Sequence, residues 1–271
     1  MIKLMFITND PAVALGAEKA GVDRIFVDLE TIGKAERQGG MDTVQSKHTA
    51  ADAAAMRKIL TRSELFVRVN QIHDGSEREI DDVINAGADV VMLPYFKTAE
   101  QVRVFLKAVG GRARTALLFE TPESVENVDE ILELDGIDEC YVGLNDLHLG
   151  YKRKFMFELL ADGTTDRLCG KFKAAGKDYG FGGIARIGTG MLPADVILGE
   201  HVRLGSGIVI LSRGFCDVRT LSPEECAAVF ASEVPKMREK ETELRTKAAG
   251  FFEENHAELV RVVREIVERI P

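Results

Sequence analysis

The chain has 271 residues, 45% of them hydrophobic, enough to bury one large core, and a single α/β barrel uses about 250 residues. Its formal net charge of −9, with Lys152-Arg153-Lys154 as the one basic run, argues against a nucleic-acid partner. The four cysteines show no CxxC or metal-ligand spacing, as expected of a cytoplasmic protein, and no apolar run reaches signal-peptide or membrane-span length.

IKLMFIT (2–8) reads as a buried strand, followed by Asn9-Asp10-Pro11 as a helix start and a helix that closes at Gly21. RIFVDLE (24–30) is the second strand and ends in Asp28 and Glu30. The polar, glycine-containing stretch after it, TIGKAERQGGMDTVQSKHT, is expected to be a long loop over the strand ends. A helix over 49–60 leads to a third strand, LFVRVN (65–70), which carries Arg68. SEREIDDVINAGAD has helical spacing at Ile80, Val83 and Ile84, VVMLP (90–94) is the fourth strand, and TAEQVRVFLKAVGG places Val102, Phe105, Leu106 and Val109 on one helix face.

Within 114–150, RTALLF and ECYVGL are strands five and six, joined by one helix, and each is followed by a carboxylate: Glu120 and Asp146. A right-handed βαβ crossover leaves both strand ends on one face. Two hard carboxylates meeting there suit a divalent cation such as Mg²⁺. The same two acids could instead serve as a helix cap and a turn residue.

Residues 155–178 hold a helix or two, broken at Asp162-Gly163. FGGIARI (181–187) is the seventh strand, LPADVILGEHVRLG a helix, and IVILSR (208–213) the eighth strand. Eight alternations are the count of a (β/α)8 TIM barrel, assigned to residues 1–215. Residues 216–271 are charged and helical, opening on Ser222-Pro223-Glu224-Glu225 and carrying an apolar stripe of Leu259, Val262, Val263, Ile266 and Ile270. They are expected to be additional C-terminal helices that pack on the barrel or on a neighbouring subunit of a homo-oligomer.

Arg68 lies on an otherwise apolar strand, so an inward guanidinium needs an anion. That partner is either Glu30 or Glu120 in an ion pair, or the carboxylate of a small acid. Arg186 and Arg213 end strands seven and eight, where barrels often hold phosphate, or they form salt bridges on the rim. Lys34 and Arg37 follow Glu30 and could meet a second anionic group.

DLE (28–30), FVRVN (66–70), GADVVMLP (87–94), LLFETPESVENVDEIL (117–132) and GIDECYVGLNDLHLG (136–150), in that order, resemble the HpcH/HpaI aldolase and citrate lyase β-subunit family. The resemblance implies Mg²⁺ or Mn²⁺ held by Glu120 and Asp146. It also implies Arg68 on the carboxylate of a pyruvate-like 2-oxo acid, with Glu30 orienting Arg68 or a metal-bound water. The implied activity is a metal-dependent, class II aldolase or carbon–carbon lyase working through an enolate. DLE and VRVN look closer to the citrate lyase branch, which makes an acyl-CoA lyase the alternative; a non-catalytic oxo-acid-binding barrel is a third reading.

One departure matters. The aldolase branch places a catalytic histidine directly after the second-strand acid, where this chain has Thr31, and its partner aspartate aligns with Asn85. The general base is therefore sought among His48, His73 and His148, which fall near strand ends. His201 and His256 fall in helices and are assigned no role.

Overall fold

The computed structural model describes residues 1–33 and 47–270; Lys34, Arg37 and most of the long loop expected after strand two lie outside the described residues. Eight parallel strands close into a barrel in chain order, with the last pairing with the first. They are β1 (Lys3–Ile7), β2 (Arg24–Asp28), β3 (Glu64–Arg68), β4 (Val90–Leu93), β5 (Arg114–Phe119), β6 (Glu139–Val142), β7 (Asp178–Ile184) and β8 (Ile208–Leu211).

The first helices follow their strands as expected: α1 (Pro11–Ala20), α2 (Ala50–Ile59), α3 (Ser76–Asn85) and α4 (Ala99–Val109). Asp10 caps α1 by accepting from the N–H groups of Ala12 and Val13, and Gly21 ends it in the left-handed region at φ 96. The single helix expected between β5 and β6 is two, α5 (Pro122–Glu126) and α6 (Val128–Leu132). Asn127 leaves helical geometry between them, and its side-chain amide donates to the Lys97 carbonyl at 2.9 Å. Then come α7 (Leu144–Gly150), α8 (Glu158–Ala161), α9 (Thr164–Ala174), α10 (Ala194–Leu204), α11 (Pro223–Arg245) and α12 (Ala249–Arg269). None of the described helices is long and apolar enough to cross a membrane.

The two-residue period of a strand sorts the barrel interior into layers. Its amino-terminal end is charged: Arg24 is fully buried, meets Glu139 through both terminal nitrogens at 2.6 and 2.5 Å, and gives its Nε proton to Glu64 at 2.7 Å. Above it lies an apolar layer that includes Met5, Phe26, Phe66, Met92, Leu118 and Tyr141. Two residues further along β2, β3 and β5, the same inward faces carry Asp28, Arg68 and Glu120. The alternation that buries Phe26, Phe66 and Leu118 therefore delivers the charged residues to the carboxyl-terminal mouth.

The seventh strand begins three residues before the expected stretch and contains a bulge, because its register with β8 jumps from Gly180–Ile208 to Gly183–Ile210. Gly182 in the bulge has φ 54, and the Tyr141 hydroxyl accepts the Ile210 N–H at 3.0 Å. Close approach requires glycine at 180, where a Cβ would stand 2.1 Å from the Ile208 carbonyl oxygen.

The helices after residue 215 pack on the barrel. Helix α11 packs along α1 and touches α10, which is the eighth place in the helical ring. Phe230 meets Phe6 edge-on at 4.7 Å, Glu241 accepts the Ile2 N–H at 2.7 Å, and Arg238 donates to Asp23 at 2.6 Å. The last helix, α12, follows the ring and docks on α10 through buried Leu259, Val263 and Ile266 and an Asn255–Glu200 bond of 2.9 Å. The apolar stripe of the last helix thus faces the barrel of its own chain.

Candidate active site

A cavity of 320 Å³ opens at the carboxyl-terminal mouth, with Phe26, Met92, Leu118 and Tyr141 among its floor residues and Asp28, Arg68, Glu120 and Asp146 among its charged ones. This is the face on which barrel loops assemble catalytic groups. The sequence-predicted Arg68, Glu120 and Asp146 are thus brought together.

Asp28 and Arg68 are direct partners in the β2–β3 register, which sets their side chains opposite each other. Arg68 Nε donates to Asp28 Oδ1 and Nη2 to Oδ2, both at 2.8 Å, and Nη1 lies 3.2 Å from Glu30 Oε2. Desolvation opposes the arginine's charge, but Asp28, Glu30 and Glu120 more than offset it, and its pKa is raised well above the ordinary value. The main partner is therefore Asp28, where the sequence suggested Glu30 or Glu120. Glu30 is buried just behind, and its N–H donates to Asp28 Oδ1 at 3.2 Å. The bonds to Asp28 engage two of the five guanidinium protons, and Glu30 Oε2 stands beside Nη1 as an ion-pair partner without a hydrogen bond.

Glu120 is buried, and its Oε1 accepts the backbone N–H of Tyr95 at 3.0 Å. Tyr95 makes that bond from the left-handed region, at φ 49, which non-glycine residues seldom occupy. On the other side of Glu120, a Cβ on Gly143 would be 2.8 Å from the glutamate Cβ and 3.0 Å from Oε2, so only glycine leaves room for the carboxylate. Gly143 also precedes α7, whose first turn carries Asp146.

The donor set, two nearly buried carboxylates on one cavity, fits Mg²⁺ or Mn²⁺ because such ions commonly take one or two carboxylates and complete their shell with water and substrate. Among the described residues no group of three or more His, Cys, Asp or Glu is arranged to hold an ion by itself.

The three loop histidines part company. His48 stands beside β2, where its Nδ1 accepts the Asp28 N–H at 3.0 Å. That donor fixes the tautomer: in the neutral ring the proton sits on Nε2, so His48 is set to donate rather than to accept. His148 is buried in α7 with Nδ1 3.2 Å from the Leu144 carbonyl, and it does not line the cavity. His73 accepts the Gly75 N–H at 3.0 Å, lies 3.4 Å from Glu79, and is likewise outside the lining. Arg213 lines the mouth, whereas Arg186 does not and donates weakly to the Gly214 carbonyl at 3.4 Å.

Three contributions were missed in the sequence. Asp28 had a legible signal, since it shares inward parity with Phe26 on the strand beside Arg68. Tyr95 had none, because a backbone angle is not written in a side chain. Asn70, the last residue of VRVN, accepts the N–H groups of Thr31 and Ile32 at 2.8 and 2.9 Å and donates to Leu29 and Glu79. It pins the chain leaving β2 to the end of β3 and so fixes the position of Glu30.

A (β/α)8 barrel with an arginine and several acids gathered at its carboxyl mouth has the layout in which barrel enzymes place their active sites. The family model for HpcH/HpaI aldolase/citrate lyase matches residues 3–180, and the chain belongs to that family; membership supports an aldolase- or lyase-type activity. Two solved structures share the fold. The HpcH/HpaI aldolase from Desulfitobacterium hafniense DCB-2 superposes with a TM-score of 0.59 at 15% identity, covering 78% of this chain and 86% of that one. Citrate synthase SbnG gives 0.59 at 17% identity, covering 79% and 87%. Pyruvate kinase of Leishmania mexicana is 24% identical over 158 residues, 49% of this chain, and the match spans only 30% of that relative's length.

Proposed function

We propose that this protein is a divalent-metal-dependent aldolase or carbon–carbon lyase that acts on a 2-oxo acid through a pyruvate-type enolate. The observation that carries the reading is the convergence of Glu120, Asp146 and Arg68 on one cavity. In keeping with it, a curated relative is a pyruvate kinase and the family is one of aldolases and lyases.

Glu120 and Asp146 would hold Mg²⁺ or Mn²⁺, which when bound supplies Lewis-acid polarisation of a 2-oxo group. Arg68 receives the substrate carboxylate on its terminal N–H groups, in the two-pronged fit of guanidinium and carboxylate. Asp28 and Glu30 hold the guanidinium plane still, so little reorganisation is needed when substrate arrives. The apolar floor of Phe26, Met92 and Leu118 keeps water from the reacting carbon and strengthens these charge interactions.

The test is calorimetric titration of the purified chain with Mg²⁺ or Mn²⁺ and then pyruvate, paired with NMR detection of hydrogen exchange at the pyruvate methyl group. Metal-dependent pyruvate binding and methyl exchange are expected. Absence of both would remove the reading.

A further inference from the structure

One hydroxyl joins three strands where the barrel wall is irregular. The register of β7 with β8 jumps from Gly180–Ile208 to Gly183–Ile210, so two residues of β7 stand opposite one of β8. A bulge of this kind takes backbone groups away from their ladder partners. Tyr141, on β6, replaces those partners. Its Oη accepts the Ile210 N–H at 3.0 Å and gives its proton to the Gly182 carbonyl, with the Phe181 carbonyl 3.1 Å away. Gly182 is turned to φ 54 to meet it, and a Cβ there would stand 2.8 Å from Leu144 Cδ1.

The Tyr141 ring belongs to the apolar layer under the cavity, and Tyr141 lines the cavity together with Gly182, Gly183 and Ile210, the segments it holds. Burial raises the pKa of the phenol, so the hydroxyl stays protonated and serves as a bond rather than as an acid or base. Arg68 reaches the mouth from β3, Glu120 from β5 and Asp146 from the helix after β6. An oxo acid held between the guanidinium and a metal therefore turns its third carbon toward the remaining walls, which β7, β8 and β1 line with Gly182, Gly183, Ile210 and Ile7. The Arg68 guanidinium is held by Asp28 and Glu30, and the Glu120 carboxylate by the Tyr95 N–H, none of them through Tyr141.

We propose that Tyr141 is a positioning residue: by bridging β6 to the bulge of β7 and to β8, its hydroxyl sets the wall against which the reacting carbon of the bound oxo acid is held. The inference rests on the enolate reading of the same site. It assigns the hydroxyl to turnover and not to binding.

The experiment compares the full chain with Tyr141→Phe, which keeps the ring and removes the oxygen, in Mg²⁺ and pyruvate. Rates are referred to the folded fraction measured by circular dichroism. Methyl exchange at saturating pyruvate is expected to fall about 100-fold, the loss that follows a misplacement of about 1 Å, while calorimetry shows unchanged Mg²⁺ and pyruvate affinities. The Ile210 amide should exchange faster with deuterium. Glu139→Gln, on the same strand but below the apolar layer, is the destabilised control and should keep its rate. Gly182→Ala disturbs the bulge from its other side, and keeps the test if Tyr141→Phe does not fold: it should lower the rate with affinities unchanged. Because both changes act on one element, the double variant should lose less than the product of the single losses. A wild-type rate in Tyr141→Phe, an equal fall in Glu139→Gln, or pyruvate affinity lost in step with the rate would overturn the assignment and leave the enolate reading standing. Losses that multiply, or an unchanged Ile210 amide, would do the same. If the unaltered chain exchanges no methyl hydrogen, the enolate reading fails and the inference falls with it.

Discussion

Asp28 and Arg68 face each other across adjacent parallel strands, and the carboxylate takes both Nε and Nη2 of the guanidinium at 2.8 Å. The pair leaves only the outer edge of the arginine for a ligand. Lysine cannot reproduce that division, since it lacks a planar fork. Arg68→Lys is expected to weaken pyruvate binding by about 2 kcal/mol or more, roughly thirtyfold, as read by calorimetry. Unchanged affinity would mean that the acid binds elsewhere.

Glu120→Gln and Asp146→Asn each keep size and remove one charge from the proposed metal site. Loss of a partner that merely supports a ligand typically costs about 10- to 100-fold in metal affinity, and loss of a ligand itself is expected to exceed that. Mn²⁺ titration followed by paramagnetic resonance measures it directly, on variants shown by circular dichroism to be folded.

Tyr95 holds its left-handed backbone to offer an N–H to Glu120. Glycine at that position relieves strain of about 1–3 kcal/mol while making the unfolded chain more flexible. Tyr95→Gly is therefore expected to raise stability in urea by about 1 kcal/mol with metal binding retained. Tyr95→Pro removes the N–H, and is expected to weaken metal binding.

His201 is fully buried, stacks on Phe181 at 3.8 Å, and bonds Ser206 through Nδ1 at 2.8 Å. Burial pushes its pKa down from 6.5 to about 3. Because the folded-state value is depressed, the unfolded chain binds the proton first. The contribution to stability is thus complete above pH 6.5 and declines as pH falls from 6.5 toward 3, by about 1.4 kcal/mol per pH unit at most. In His201→Gln, urea denaturation across that range should show a slope reduced by one proton.

At the opposite end of the barrel, Glu139→Gln removes the charge that Arg24 meets at 2.6 and 2.5 Å, leaving the buried guanidinium with Glu64. A loss of about 3–5 kcal/mol is expected from breaking a buried pair on one side. The network lies below the apolar layer, so kcat per folded molecule should not change.

Eight strands in order and the arrival of Arg68, Glu120 and Asp146 on one face were legible in the sequence. Each follows from local periodicity and from the fixed hand of a parallel crossover, which need no knowledge of distant contacts. The place of Pro223–Arg245 was not legible in that way, because a charged amphipathic helix reads the same whether it closes a ring or hangs outside it. Its assignment to the barrel depends on Phe230, Arg238 and Glu241 meeting residues more than two hundred positions earlier in the chain. Likewise, strand parity could bring Asp28 to the mouth, but only the β2–β3 register made it the partner of Arg68 ahead of Glu30 and Glu120. The tautomer of His48 and the backbone angle of Tyr95 arise from single hydrogen bonds to other segments. The sequence determined which charges reach the mouth of the barrel; tertiary structure decided which of them are already engaged, because pairing is a matter of register and distance rather than of period.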